Sequence, residues 1–134
     1  MATKNFIGLD SAATEKNRAC LNDLLANRQV YYTNLRGLHW DIKGDKFFEL
    51  HALYEDYYNN EASAIDELAE RIAMLGGHPE NRFSEYLKIA EIKETHNVSD
   101  WAAGLNQLIE TMKTLLTKYH KLLALANETD DSGT

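Results

Sequence analysis

The chain has 134 residues, 44% hydrophobic and 26% charged, enough to bury one core but not two. Its formal net charge of −7 argues against broad nucleic-acid binding, which needs clustered Lys and Arg, and suits a protein that attracts cations. A single cysteine, Cys20, excludes an internal disulfide, Met1 to Asp10 has no apolar run of signal-peptide kind, and no stretch is apolar for long enough to span a bilayer; a soluble cytoplasmic protein is expected.

Seven glycines and one proline favour an all-helical chain. A first helix is expected to start near Asp10 or Ser11, either of which can cap it. Leu21, Leu24, Leu25, Tyr32, Leu35, Leu38 and Ile42 then recur at helical spacing. Lys43-Gly44-Asp45 breaks the pattern, because Gly44 can turn left-handed. A second helix follows over about 47–75, with Leu50, Leu53, Tyr54, Tyr57, Ile65, Leu68, Ile72 and Leu75 on its buried face. Gly76-Gly77 ends it and Pro79 prevents continuation. The connection from His78 to Val98 is long, with a short helix over 83–88. A third long helix is expected over about 100–126, capped by Ser99, and the acidic tail from Asn127 to Thr134 reads as mobile.

Four residues carry the chemistry: His39, His51, Asp66 and Glu70. A helical hairpin folding at Gly44 brings the two imidazoles to similar heights. Asp66 and Glu70, four residues apart, share one helix face, as do His51 and Glu55. His51 and Asp66 stand fifteen residues apart on one helix, about 22 Å at 1.5 Å per residue. Metal ligands lie roughly 2 Å from the ion, so one copy cannot gather all four. Two copies can, if the second helix packs antiparallel against its twofold mate and each dimer holds two equivalent sites. Imidazole with carboxylate suits iron, manganese or zinc better than calcium. Taken singly, each histidine is more often a surface or hydrogen-bonded residue than a ligand, and Asp and Glu four apart are common on solvated helix faces.

The surrounding sequence adds to this. Asn34-Leu-Arg-Gly-Leu-His39-Trp40-Asp-Ile-Lys-Gly44 resembles the first-helix signature of the Dps family of ferritin-like proteins. Phe47-Phe-Glu-Leu-His51-Ala-Leu-Tyr-Glu55, then Ile65-Asp66-Glu-Leu-Ala-Glu70-Arg71-Ile, then Leu75-Gly-Gly, are similar to the family's next motifs in order, from about Gln29 to Glu94. The resemblance implies a ferroxidase site with His39, His51 and Glu55 from one subunit and Asp66 and Glu70 from its twofold neighbour. It also implies Fe(II) oxidised by hydrogen peroxide, ferric mineral stored in a hollow homo-dodecamer, and protection from oxidative damage. Trp40 matches a tryptophan beside that site, and ordinary packing would also explain it.

Three departures stand out. Glu55 occupies a position where many relatives have Asp. The N-terminal segment offers only Lys4, Lys16 and Arg18, and the C-terminal tail is acidic, so direct DNA binding is not expected. Relatives carry a further long helix after the segment matching 122–134, so the fold expected over 1–134 is a single all-α, ferritin-like bundle, truncated at its C-terminus, with the fourth helix absent. The ferritin-type Glu-x-x-His pattern is missing, which disfavours a di-iron centre inside one bundle. His78, His96 and His120 read as surface residues, Cys20 as a small buried residue, and Glu61 and Glu67 as acids that could line an inner surface. The competing readings are a non-enzymatic metal-binding or structural assembly and a DNA-compacting protein.

Overall fold

A computed structural model of the chain describes residues 8–134. Lys4 and the first seven residues of the opening segment read above lie outside the described residues. Four helices follow in order: α1 Ser11–Asp41, α2 Phe47–Met74, α3 Phe83–Ile89 and α4 Trp101–Glu128. Asp10 caps α1, accepting from Ala13 N at 2.9 Å, and Asp100, one residue after the expected Ser99, caps α4 in the same way. Gly44, at φ 99°, makes the turn that returns α2 along α1. The α2 end is a Schellman motif: Gly76 takes φ 82°, its N–H donates to Ala73 O, and Gly77 N donates to Ile72 O.

The expectation that the fourth helix is absent is overturned: the chain has four helices, the last of them at its C-terminal end over Trp101–Glu128. The short helix expected over 83–88 within the long connection is present as Phe83–Ile89. That segment is a helix in its own right because Tyr86 is buried against the core and its hydroxyl donates to Glu80 O, anchoring a turn too short to hold by propensity. The tail also departs from expectation. Asp130 takes the left-handed φ of 59°, Asp131 N reaches back to Ala126 O at 2.8 Å, and the chain folds onto α1 and α2. Asp131 is 2% exposed and accepts from Asn17 Nδ2 at 2.9 Å, Arg71 at 2.5 Å and the Thr134 hydroxyl at 2.5 Å.

α1 is the central element and packs against α2, α3 and α4. Leu21, Leu24, Leu25, Leu35 and Leu38 meet Tyr54, Ile72 and Leu75 of α2 and Leu108, Leu115 and Leu122 of α4 in one core. Gly104 permits the α4 approach, since a Cβ there would lie 2.7 Å from the Tyr54 hydroxyl and 3.4 Å from Leu38. The outer face of α4 leaves Ile109, Met112, Leu116 and Leu123 exposed.

Because α1 is enclosed on several sides, it also buries polar residues, and these fasten the irregular segment after α3. Asn27, fully buried, accepts from Glu91 N and Ile92 N at 2.9 and 3.1 Å and donates to Asp23 O. Two turns on, Asn34 donates to Lys93 O and accepts from Thr95 N. Extended backbone next to a core must find partners for its N–H groups, and two asparagines on one helix face supply them.

Two outcomes follow. Asn27→Ala leaves two backbone N–H groups unpaired and lowers unfolding free energy by about 3 kcal/mol in urea titration, more than an exposed Asn59→Ala. For Asp131, burial alone would raise the carboxyl, but the Thr134, Arg71 and Asn17 hydrogen bonds outweigh it and hold it below its ordinary 3.8. A depressed folded value stabilises above the unfolded one and is lost as pH falls through the folded one. Stability is therefore expected to drop from about pH 4 downward, and Asp131→Asn to lower stability at pH 7 while flattening that acid limb in thermal unfolding.

Candidate metal centre

His39 lies in the last turn of α1 and His51 in the second turn of α2, and the Gly44 turn sets them level. Their rings stack with centroids 3.7 Å apart and planes 19° from parallel. The reason is a reciprocal exchange. His39 Nδ1 lies 2.7 Å from the backbone oxygen of His51, and His51 Nδ1 lies 2.9 Å from that of His39. A carbonyl oxygen only accepts, so each Nδ1 carries a proton, and in the neutral form of each ring the lone pair is on Nε2.

The local sequence explains why the carbonyls are available. The His39 oxygen belongs to the unsatisfied last turn of α1, and Lys43 N, which could have bonded to it, goes to Ser99 O instead. The His51 ring thus caps α1, while the His39 ring binds into α2. Phe47, one turn before His51, stacks on it at 4.8 Å, and Tyr58 stands edge-on to His39 at 5.3 Å. His39 is 8% exposed and His51 half-buried.

The carboxylates stand elsewhere. Glu55 is exposed one turn beyond His51, and Asp66 and Glu70 are exposed on the far half of α2. α2 is one unbroken helix from Phe47 to Met74, so the gap of about 22 Å between His51 and Asp66 persists. Among the described residues, one copy assembles no group of three His, Cys, Asp or Glu able to hold a metal ion. The structure thus brings His39 and His51 together and keeps Asp66 and Glu70 apart from them.

Other candidates resolve simply. His78, His96 and His120 are exposed, and Cys20 is half-buried with its thiol pushed up by burial. Glu61 lines no surface: it is buried and paired with Arg28, which stacks on Tyr119 at 4.9 Å. Three neighbours of the histidines were missed as part of the site: Arg36, Phe47 and Tyr58. Phe47 and Tyr58 lie four and seven residues from His51, spacing that shares its helix face and could have found them. Arg36 is held between Tyr32 at 5.7 Å and Trp40 at 4.8 Å.

The Ferritin-like domain model matches residues 18–134 of this helical chain. The DNA protection during starvation protein of Porphyromonas gingivalis is 50% identical over 85% of this chain and 72% of its own length. DNA protection during starvation protein 2 of Bacillus anthracis is 34% identical over 85% of this chain and 78% of its own. The crystal structure of a Dps protein from Vibrio cholerae, described as a member of a broad superfamily of ferritin-like diiron-carboxylate proteins, superposes with a TM-score of 0.95. It is 47% identical over 99% of this chain and 83% of that one. This chain belongs to the Dps family.

The reciprocal bonds give a direct expectation. Long-range nitrogen–proton NMR on the chain near neutral pH should find both histidines as the Nδ1–H tautomer. A neutral ring protonated at Nε2 instead of Nδ1, in either histidine, would refute the exchange.

Proposed function

We propose that this protein is an iron-storage ferroxidase whose site forms between two copies of the chain. His39, His51 and Glu55 come from one copy and Asp66 and Glu70 from the other, and the substrates are Fe(II) and hydrogen peroxide. The observation that carries the reading is the imidazole pair. A hydrogen bond from the far ring nitrogen to a carbonyl is the usual support of a metal-bound histidine, because it fixes the tautomer and raises the basicity of the ligating nitrogen. Here two such supports are made from two residues with no further partner needed. The separation of Asp66 and Glu70 from that pair within one chain supports a shared site, since a twofold mate supplies the missing half.

The donor set is neutral imidazole nitrogen with carboxylate oxygen, which suits Fe(II) and leaves positions for an oxidant. Each peroxide accepts one electron from each of two Fe(II) ions and, with two protons, leaves as two waters. The carboxylates offset the charge gained as iron becomes ferric. Consuming Fe(II) and peroxide together keeps hydroxyl radicals from forming, which is the protective role. The same reading takes the assembly as a hollow shell of such dimers, twelve copies in all, in the cytoplasm; among the described residues no helix is long and apolar enough to cross a membrane. The net charge of −7 favours cation entry and disfavours DNA as a ligand.

Fe(II) added anaerobically, followed by peroxide, should be oxidised rapidly by the native chain. His39→Ala and Asp66→Ala should each slow oxidation at least about 100-fold without changing particle size by light scattering. Equal numbers of the two variants, dissociated and reassembled together, should regain activity, because a mixed dimer keeps one intact site with His39 from one chain and Asp66 from the other. Normal rates in the single variants would remove these residues from the site, and tight iron binding without turnover would favour the storage scaffold.

A further inference from the structure

The imidazole pair is closed on one side by a third ring. Phe47 opens α2, and its N–H donates to Gly44 O at 3.2 Å, which ties it to the turn. His51 follows four residues later on the same helix face. Helical side chains lean toward the N-terminus, so the His51 ring lies back over Phe47. The Phe47 and His51 centroids are 4.8 Å apart with planes at 21°, and His39 stacks on His51 at 3.7 Å and 19°. At these distances two rings cannot lie side by side on one face of an imidazole, so Phe47 and His39 hold opposite faces of His51.

A hydrogen bond alone does not fix a ring. The torsion that turns an imidazole about its Cβ–Cγ bond has broad minima. A bond from Nδ1 to a carbonyl weakens steeply only when bent below about 120°. The His51 ring, held by that bond alone, could rock through tens of degrees and still donate to His39 O. The Nε2 lone pair lies in the ring plane, so such rocking swings the direction from which a metal must approach. His39 is enclosed otherwise: it is 8% exposed, with Tyr58 edge-on at 5.3 Å and His51 on its face. His51 is the more open of the two, and the ring on its second face is Phe47.

We propose that Phe47 is a positioning residue of the candidate metal centre. Its flat face holds the plane of the His51 ring, and so the aim of Nε2, while Phe47 itself supplies no donor atom. Ordinary core packing would need only apolar bulk at this position, whereas positioning needs a flat aromatic face. Leu and Tyr separate the two, because Leu keeps bulk without the face and Tyr keeps the face. The role toward a metal rests on the shared-site reading above, and the hold on the ring is tested in metal-free protein.

In the metal-free assembled chain, long-range nitrogen–proton NMR should find His51 as the Nδ1–H tautomer in the native protein and in Phe47→Tyr. Phe47→Leu should hold about tenfold more of the Nε2–H tautomer. Co(II), added alone and followed by its visible absorption, should bind about tenfold more weakly to Phe47→Leu than to the native chain, and within about threefold of native to Phe47→Tyr. Particle size by light scattering should be native in both. Phe47→Met, whose flexible thioether fills similar volume, carries the same expectation as Leu, so poor folding of one variant does not shelter the idea. A native tautomer and native Co(II) affinity in Phe47→Leu or Phe47→Met overturn the proposal. An equal loss in Phe47→Tyr overturns it too, because the flat face would then not be what matters. A change of tautomer confined to Leu and Met, in a protein whose native chain does not oxidise Fe(II), keeps the positioning role and sinks the ferroxidase reading. Iron oxidation by the native chain, with His51 unmoved in Phe47→Leu, does the reverse.

Discussion

Everything at the candidate site depends on the crossed hydrogen bonds between His39 and His51. Each imidazole donates to the other residue's backbone oxygen, so neither ring can turn without releasing a carbonyl and its partner's support. The exchange requires the last turn of α1 to lie level with the second turn of α2, which Gly44 arranges by taking φ 99°, a conformation costly for any residue with a Cβ. It also requires the His39 carbonyl to be free, which Ser99 secures by taking the Lys43 N–H. The turn, the start of α4 and the two rings are thus one unit, and a change in any of them reaches the two Nε2 atoms.

The second constraint is the stiffness of α2. An uninterrupted helix of 28 residues cannot fold its ends together, so imidazoles at one end and carboxylates at the other stay apart in a single chain. The proposed shared site would tie chemistry to assembly, because an isolated copy holding only a histidine pair offers a metal ion too few ligands for tight capture.

The elements that position the site were legible in the sequence because their signals are local. Apolar spacing marked α1, α2 and α4, Gly44 marked the turn, Gly76-Gly77 marked the α2 end, and the fifteen-residue count placed Asp66 well away from His51. What was not legible depends on contacts distant along the chain. Asn27 and Asn34 look like ordinary polar helix residues, and only the segment from Glu91 to Thr95 lying against them reveals why they are buried. Asp131 looks like a solvated tail residue until Asn17 and Arg71, 114 and 60 positions away, gather around it. The short helix at Phe83–Ile89, expected over 83–88, is held by the burial of Tyr86.

The bundle interior explains why chemistry belongs at the edge. A ferritin-like bundle can hold metal between its helices when Glu-x-x-His motifs project inward. Here the inward acid of α2 is Glu61, and three residues on stands Ala64 instead of a histidine. Burial pushes the Glu61 carboxyl up, Arg28 pulls it back, and the Arg28 guanidinium supplies the positive charge that a metal would otherwise bring. Tyr31 beside them is pushed well above its usual range, by burial first and by Glu61 second, so it offers no phenolate ligand. An interior already neutralised by its own arginine has no deficit of charge for iron to fill. On α2, by contrast, Glu55, Asp66 and Glu70 are exposed and form no ion pair among the described residues, so a cation is accommodated there more readily than in the interior.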